Sequence, residues 1–205
     1  MSAAGAPPAL ATAITGLVQA ILDELVSRGV RGLAICGVAE GDGVSFLSAN
    51  LAAGLARAGL STLLVDADIC KPRQHILFDV PEGATFGLSE VLKSNSPDPD
   101  AGIRPNVRPG LSVLFGGEAQ PGVPDALSGA AFASLMDGWL RSYEFTIVDT
   151  PPANRTPDAL RIARLAGHAL LVVRRDQTFV SDLSLFIDEL RDQNVTVFGS
   201  VLNEG

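Results

Sequence analysis

Gly37-Val38-Ala39-Glu40-Gly41-Asp42-Gly43-Val44-Ser45-Phe46 decides the fold. The stretch follows an apolar run, Leu33-Ala34-Ile35-Cys36, that reads as a buried strand. It precedes Leu47 to Arg57, which reads as a helix. Strand, glycine loop and helix in that order are the layout of a phosphate-binding loop. The usual form is G-x-x-x-x-G-K-S/T. Here Gly37 and Gly43 are spaced one residue wider, while Gly41, Gly43 and Ser45 keep the end of the pattern. Val44 stands where the lysine belongs.

Each residue type in such a loop has a physical task. Glycines let the backbone turn and bring its N–H groups to phosphate oxygens. The helix behind points its positive end at the same spot. The lysine reaches the outer phosphates, and the Ser/Thr hydroxyl holds magnesium. This chain lacks the lysine, and Glu40 and Asp42 bring negative charge that nothing adjacent in sequence opposes. On this motif alone, a plain glycine-rich turn competes evenly with a nucleotide site.

A chain of 205 residues with 47% hydrophobic residues can bury a large core. We expect a mobile arm over residues 1–8, ending in Pro7-Pro8, and a single domain over 9–205. The net charge of −8 and pI near 4.7 speak against nucleic acid or an anionic membrane surface as partner. No apolar run approaches the roughly 18 residues of a membrane span. No secretory leader is visible. The two cysteines, Cys36 and Cys70, make no disulfide framework and fit a cytoplasmic protein.

In chain order, Leu10, Ile14, Leu17, Val18, Ile21, Leu22 and Leu25 recur at helical spacing, and Gly29 is a natural stop. Thr62 to Val65 is a second buried strand, ending in Asp66-Ala67-Asp68. Carboxylates at the carboxyl end of a parallel strand lie where open α/β sheets bind ligands. Residues 72–124 hold eight of the thirteen prolines. There Gly87 to Leu92 predicts a short helix, Ser94 to Gly110 an exposed, partly mobile loop, and Leu111 to Phe115 a strand. Ala130 to Leu140 reads as a helix, and Phe145 to Val148 as a strand ending in Asp149-Thr150-Pro151-Pro152. A hydrophobic strand followed by Asp is the second element of a nucleotide triphosphate site, where the acid acts on magnesium. A helix over Thr156 to Ala166, a strand over Ala169 to Val173, a helix over Val180 to Gln193 and a strand over Val195 to Leu202 complete the chain. Nearly all-apolar strands alternating with helices argue an α/β fold with a mostly parallel sheet covered on both faces.

The loop, Leu64-Val65-Asp66-Ala67-Asp68, Lys71-Pro72 with His75 and Leu77-Phe78, Gly87 to Leu92, Val148 to Pro152, Asp158-Ala159 and Val201-Leu202-Asn203 occur in that order. Together they resemble the cytoplasmic bacterial tyrosine kinases of capsule and exopolysaccharide synthesis, part of the P-loop group that includes the MinD and ParA ATPases. The resemblance spans nearly all of residues 30–203. It implies a P-loop NTPase architecture of the MinD type, with the loop strand beside the strand ending in Asp149. It implies ATP and Mg2+, with Gly41, Asp42, Gly43, Val44, Ser45 and Phe46 at the nucleotide and Asn203 at the adenine contact. It further implies Ser45 and Asp149 at the metal, and Asp66 and Asp68 as catalytic residues if the chain is active. The implied partner is a membrane polysaccharide co-polymerase whose cytoplasmic segment activates the kinase, which places the chain peripherally at the inner membrane.

The departures from the family pattern are as informative. Val44 replaces the loop lysine, Phe46 replaces a threonine common after the Ser/Thr, and Cys70 stands where an arginine often follows Asp-x-Asp. The helix over Ala11 to Arg28 lacks the Glu-x-x-Arg-x-x-Arg pattern that builds rings, so a monomer or dimer is expected. The only tyrosine is Tyr143, predicted at a helix end. The favoured expectation is a catalytically silent relative with weak or absent ATP binding, acting as a scaffold or regulatory partner. The alternatives are an active ATPase or tyrosine kinase that borrows Lys71, Arg73 or a partner's lysine, and a MinD- or ParA-like positioning ATPase. Against the last stand Val38, where that class carries an extra lysine, and the acidity of the chain.

Overall fold

A computed structural model describes residues 8–81, 86–94, 97–119 and 127–205. Helix α1 spans Pro8–Glu24, and a short 3-10 turn, Val26–Arg28, extends it to Gly29 at φ 79°. Pro8 suits the first helical position, where its missing N–H has no partner to lose. The arm expected over residues 1–8 therefore lies outside the described residues except for Pro8, which is helical. One point is corrected. Ala9–Arg28 is, by length and composition, a helix apolar enough to cross a membrane. Isolated polar residues, Thr12, Thr15 and Gln19, break the apolar run but weigh little when averaged over the helix. Its stripe of Ile14, Val18, Ile21 and Leu25 is buried within the fold. It meets the loop helix α2 (Val44–Arg57) closely, since a Cβ on Gly54 would lie 2.5 Å from Val18 Cγ2.

Seven strands form one sheet among the described residues: β1 (Gly32–Gly37), β2 (Thr62–Asp66), β3 (Ile103–Arg108), β4 (Leu111–Leu114), β5 (Phe145–Asp149), β6 (His168–Arg174) and β7 (Thr196–Asn203). Their order is β3-β4-β2-β5-β1-β6-β7, and every pairing is parallel except β3 with β4. Alternate residues of β1 enter opposite layers. Leu33 and Ile35 join α1 and α2 in one apolar layer. Ala34 and Cys36 join α5 (Ala130–Ser142), α6 (Asp158–Ala166) and α7 (Val180–Asp192) in the other. The period-2 alternation of a strand thus sends apolar side chains to both faces, which is why β1 shows no polar positions. The expected α/β architecture is the one observed.

The structure departs from expectation in the proline-rich stretch. Within Ser94 to Gly110, residues 103–108 form the antiparallel edge strand β3 rather than loop. Pro105 lacks an N–H, but an edge strand needs only one hydrogen-bonded side. The register shifts between Arg104 and Arg108, and Asn106 takes φ 53° there. That irregularity is a bulge that absorbs the proline. A four-residue helix, α3 (Gln74–Leu77), also went unseen, because it is too short to display a helical period. The short helix over Gly87 to Leu92 is present as α4 (Leu88–Lys93).

Candidate functional site

The strand order places the loop between two chemistries. β1 lies between β5 and β6, so residues 38–43 emerge beside the carboxyl end of β5. Gly41 and Gly43 adopt φ 89° and 101°, in the left-handed region that a side chain would strain. A Cβ on Gly37 would lie 2.7 Å from Val44 Cγ2. The valine thus sets one methyl against the end of β1 and the α1/α2 layer while it also lines the cavity over the loop. Its methyl groups give the cavity no charge where a lysine would meet phosphate.

The loop is braced from far along the chain. Asp42 is only 1% exposed. Its Oδ2 accepts from Ala39 N at 2.8 Å, and its Oδ1 accepts from Thr178 Oγ1 at 2.9 Å. Arg174 Nη1 donates to Gly41 O at 3.0 Å. Asn203 Nδ2 donates to Asp42 O at 2.9 Å. Asp42 is thus an internal strut, and its charge is spent on hydrogen bonds rather than facing a ligand. Glu40, by contrast, is opposed by charge. Its carboxylate lies 2.8 Å from Lys71 Nζ, 3.4 Å from Arg155 Nη1 and 3.5 Å from Arg73 Nη2. Lys71 lowers the Glu40 pKa from its ordinary value through the hydrogen bond. The expectation that nothing opposes these charges is corrected for Glu40, while the Asp42 carboxylate is hydrogen-bonded by the neutral donors Ala39 N and Thr178 Oγ1.

Asp66 and Asp149 end β2 and β5 as register partners, both fully buried. Gln74, also buried, joins the two. Its main-chain N donates to Asp66 Oδ2 at 3.0 Å, and its Nε2 donates to Asp149 Oδ2 at 2.7 Å and to Ser45 O at 3.0 Å. Arg73 N adds a bond to Asp66 Oδ2 at 3.1 Å. Burial pushes the Asp149 carboxyl up to about 7 against hydrogen bonds from Gln74 and Ser45. Burial first, and the neighbouring Asp149 second, raise Asp66 well above the carboxylate range. Burial also raises Asp68. Nearby, burial pushes the Cys36 thiol up to about 12, which leaves it an inert core residue.

A cavity of about 300 Å³ opens over the loop. Gly41, Asp42, Gly43, Val44, Ser45 and Phe46 line it, with Asp68, Lys71 and Arg73 on the far wall. Asp66 and Asp149 sit behind the wall, out of solvent. Asn203 flanks the loop instead of lining the cavity, its amide taken up by Asp42 O. Sequence reasoning missed Gln74, Arg155, Arg174 and Thr178. None carries a motif, and each acts through a contact distant in sequence.

The donor set suits magnesium in part. Asp66 Oδ1 and Asp149 Oδ1 are buried without a hydrogen-bond partner, and hard carboxylate and hydroxyl oxygens are what magnesium prefers. Among the described residues, however, no three His, Cys, Asp or Glu side chains are grouped to hold a metal. A metal here would depend on phosphate oxygens for the remaining positions. A triphosphate would find turned glycines and a helix N-terminus there but no loop lysine.

No family model matches the chain. It is 31% identical over 189 residues to the putative tyrosine-protein kinase CapB of Staphylococcus aureus, covering 92% of this chain and 82% of that one. It is 31% identical over 191 residues to the putative tyrosine-protein kinase EpsB of Ralstonia solanacearum, of which it spans only 25%. Among solved structures, the chimerical protein CapA2B2 superposes with a TM-score of 0.81 at 33% identity, covering 93% of this chain and 82% of that one. MinD of Pyrococcus horikoshii, complexed with Mg-ADP, superposes with a TM-score of 0.67 at 18% identity over 84% of this chain and 70% of that one, a likeness of fold alone. Relatives and structure together show that the chain belongs to the bacterial tyrosine-protein kinases of capsule and exopolysaccharide biosynthesis, on the MinD-like P-loop fold.

Proposed function

We propose that this chain is a catalytically impaired member of its family, serving as a regulatory or scaffold partner of a membrane polysaccharide co-polymerase. The carrying observation is Val44 itself: an uncharged side chain lines the cavity at the lysine position, with Cγ2 against Gly37. Lys71 Nζ reaches the loop but is held there by Glu40 at 2.8 Å, so its charge is already engaged. A bound triphosphate would keep the N–H groups of Gly41 and Gly43 and lose its principal cation. Ser45 and Asp149 would hold Mg2+, with Asp66 behind them. When bound, the metal neutralises charge on the outer phosphate oxygens. Here its carboxylates must first give up protons that burial favours. ATP binding is accordingly weak or absent. The acidic surface supports a protein partner rather than nucleic acid. We place the chain in the cytoplasm, held at the inner membrane by its co-polymerase.

Calorimetry of the purified chain with ATP and Mg2+ tests the reading. The expected result is no heat of binding at micromolar concentration, and micromolar affinity with turnover would overturn it. Fractionation of cells with and without the co-polymerase tests the partner, since equal membrane association in both would count against it. One observation favours a second reading, an active ATPase or kinase with Asp66 and Asp68 as catalytic residues. Lys71 lines the cavity and is the side chain placed to substitute for the missing lysine.

A further inference from the structure

We propose that Lys71, Arg73 and Arg155 form a phosphate-binding cation cluster that Glu40 holds shut as an intramolecular anion. A polyphosphate, free or as the tail of a nucleotide, is the class of ligand that would displace it. The inference rests on the reading of the loop cavity as a nucleotide site, and it concerns how that site is gated.

Three cations from two separate segments converge on one carboxylate. Lys71 and Arg73 come from the β2–α3 connection, and Arg155 from the β5–α6 connection. Such convergence has no explanation in stability. The partners are 42–58% exposed, and ion pairs at such exposure contribute little. Gathering three like charges is itself unfavourable unless an anion is present. Asp68, on the same cavity, also acts on Arg155 and Arg73, so two carboxylates meet three cations and one positive charge stays in excess. Only Lys71 makes short contacts to Glu40, at 2.8 and 2.9 Å. Arg73 and Arg155 stand at 3.5 and 3.4 Å, outside the charge-assisted range of about 2.7–2.9 Å. A phosphate tail offers more oxygens and more charge than Glu40 can.

The cluster is also placed in advance. The main-chain N of Lys71 donates to Asp68 Oδ1 at 3.0 Å, and that of Arg73 to Asp66 Oδ2 at 3.1 Å. These acids fix the backbone under the cations while the charged heads remain half exposed at the cavity. Glu40 itself sits in the loop, so an anion arriving at the N–H groups of Gly41 and Gly43 meets it directly. The carboxylate therefore does two things at once: it repels an incoming phosphate and occupies the cations that would receive one.

The test is titration of the full-length chain with inorganic tripolyphosphate, comparing the unmodified protein with Glu40→Gln, Glu40→Gln/Lys71→Met and Val44→Lys. Amide chemical shifts of Gly41 and Gly43 locate the binding. Thermal melts confirm that each variant is folded. The expected result is at least about fivefold tighter binding by Glu40→Gln, lost again in the double variant. If Val44→Lys binds at the loop but Glu40→Gln gains nothing, the gate is wrong and the nucleotide-site reading stands. If neither variant shifts the Gly41 and Gly43 amides, the site reading falls and the gate falls with it.

Discussion

Asp66 and Asp149 face each other at the carboxyl ends of adjacent strands, with Gln74 bonded to both: its main-chain N to Asp66 at 3.0 Å and its Nε2 to Asp149 at 2.7 Å. Two buried carboxylates so close cannot both ionise without cost. Asp149 is raised from 3.8 to about 7, so its folded form keeps a proton that the unfolded chain releases. Below pH about 4 both states are protonated and nothing is lost. Between there and about pH 7 the unfolded chain ionises first, so stability falls as pH rises, and the penalty is complete above that. Asp149→Asn should flatten this decline and melt a few degrees higher than the unmodified chain at pH 7.5 (about 2–4 °C per kcal/mol for this size). Melting curves between pH 5 and 8 decide it, and a lower midpoint for the variant at pH 7.5 would sink the idea.

Val44→Lys puts back the missing cation. Position 44 already lines the cavity, so the longer side chain gives up only the apolar contact over Gly37. We expect affinity for Mg-ATP to rise at least about tenfold, with Phe46 limiting the gain. Calorimetry on the two proteins measures it, and equal affinities would contradict the account of the loop.

Gly43→Ala should cost about 1–2 kcal/mol of stability. At φ 101° the alanine is strained, and its Cβ would come within 2.5 Å of Asn203 Nδ2. Adding Asn203→Ala removes the clash and leaves the strain. The double variant should therefore lose less than the sum of the single losses. Denaturant titrations supply the four free energies, and strict additivity would refute the contact.

Tyr143 should remain unphosphorylated after incubation with ATP and Mg2+. It caps α5 and packs its ring against the core cluster of that face, so its hydroxyl is not carried on an extended strand of chain. Mass spectrometry finding substantial phosphotyrosine would count against the impaired-kinase reading.

The purified chain should be a monomer or dimer in light scattering. Helix α1 buries Ile14, Val18 and Ile21 and offers no arginine series on its outer side. An octamer in solution would overturn this.

The fold was legible where apolar periodicity is strong. β1, β2, β5 and β6 are continuous apolar runs, and α1, α2 and α5 have clear stripes, so each was placed within a few residues. β3 was not, because Pro105 and Asn106 read as loop residues while the edge of the sheet and a bulge accommodate them. In the site, the positions of Asp66 and Asp149 followed from the rule that acids ending parallel strands gather at one crevice. The electrostatics did not follow. The partners of Glu40 lie 31, 33 and 115 residues away, and no local reading brings Arg155 to the loop. Nor does the sequence say which way Val44 points, since that depends on the space left by Gly37.

The struts on the loop have a consequence for how the molecule is made. Gly41, Asp42 and their neighbours are held by Arg174, Thr178 and Asn203, over separations of 133, 136 and 161 residues. Contacts so distant in sequence carry a loop-closure cost that nearby contacts do not. During synthesis the phosphate loop emerges early, Arg174 and Thr178 follow at and after the end of β6, and Asn203 comes only with the end of β7. A chain interrupted before β7 therefore carries every residue of the loop and two of these three long-range contacts, but lacks the Asn203 amide that holds Asp42 O.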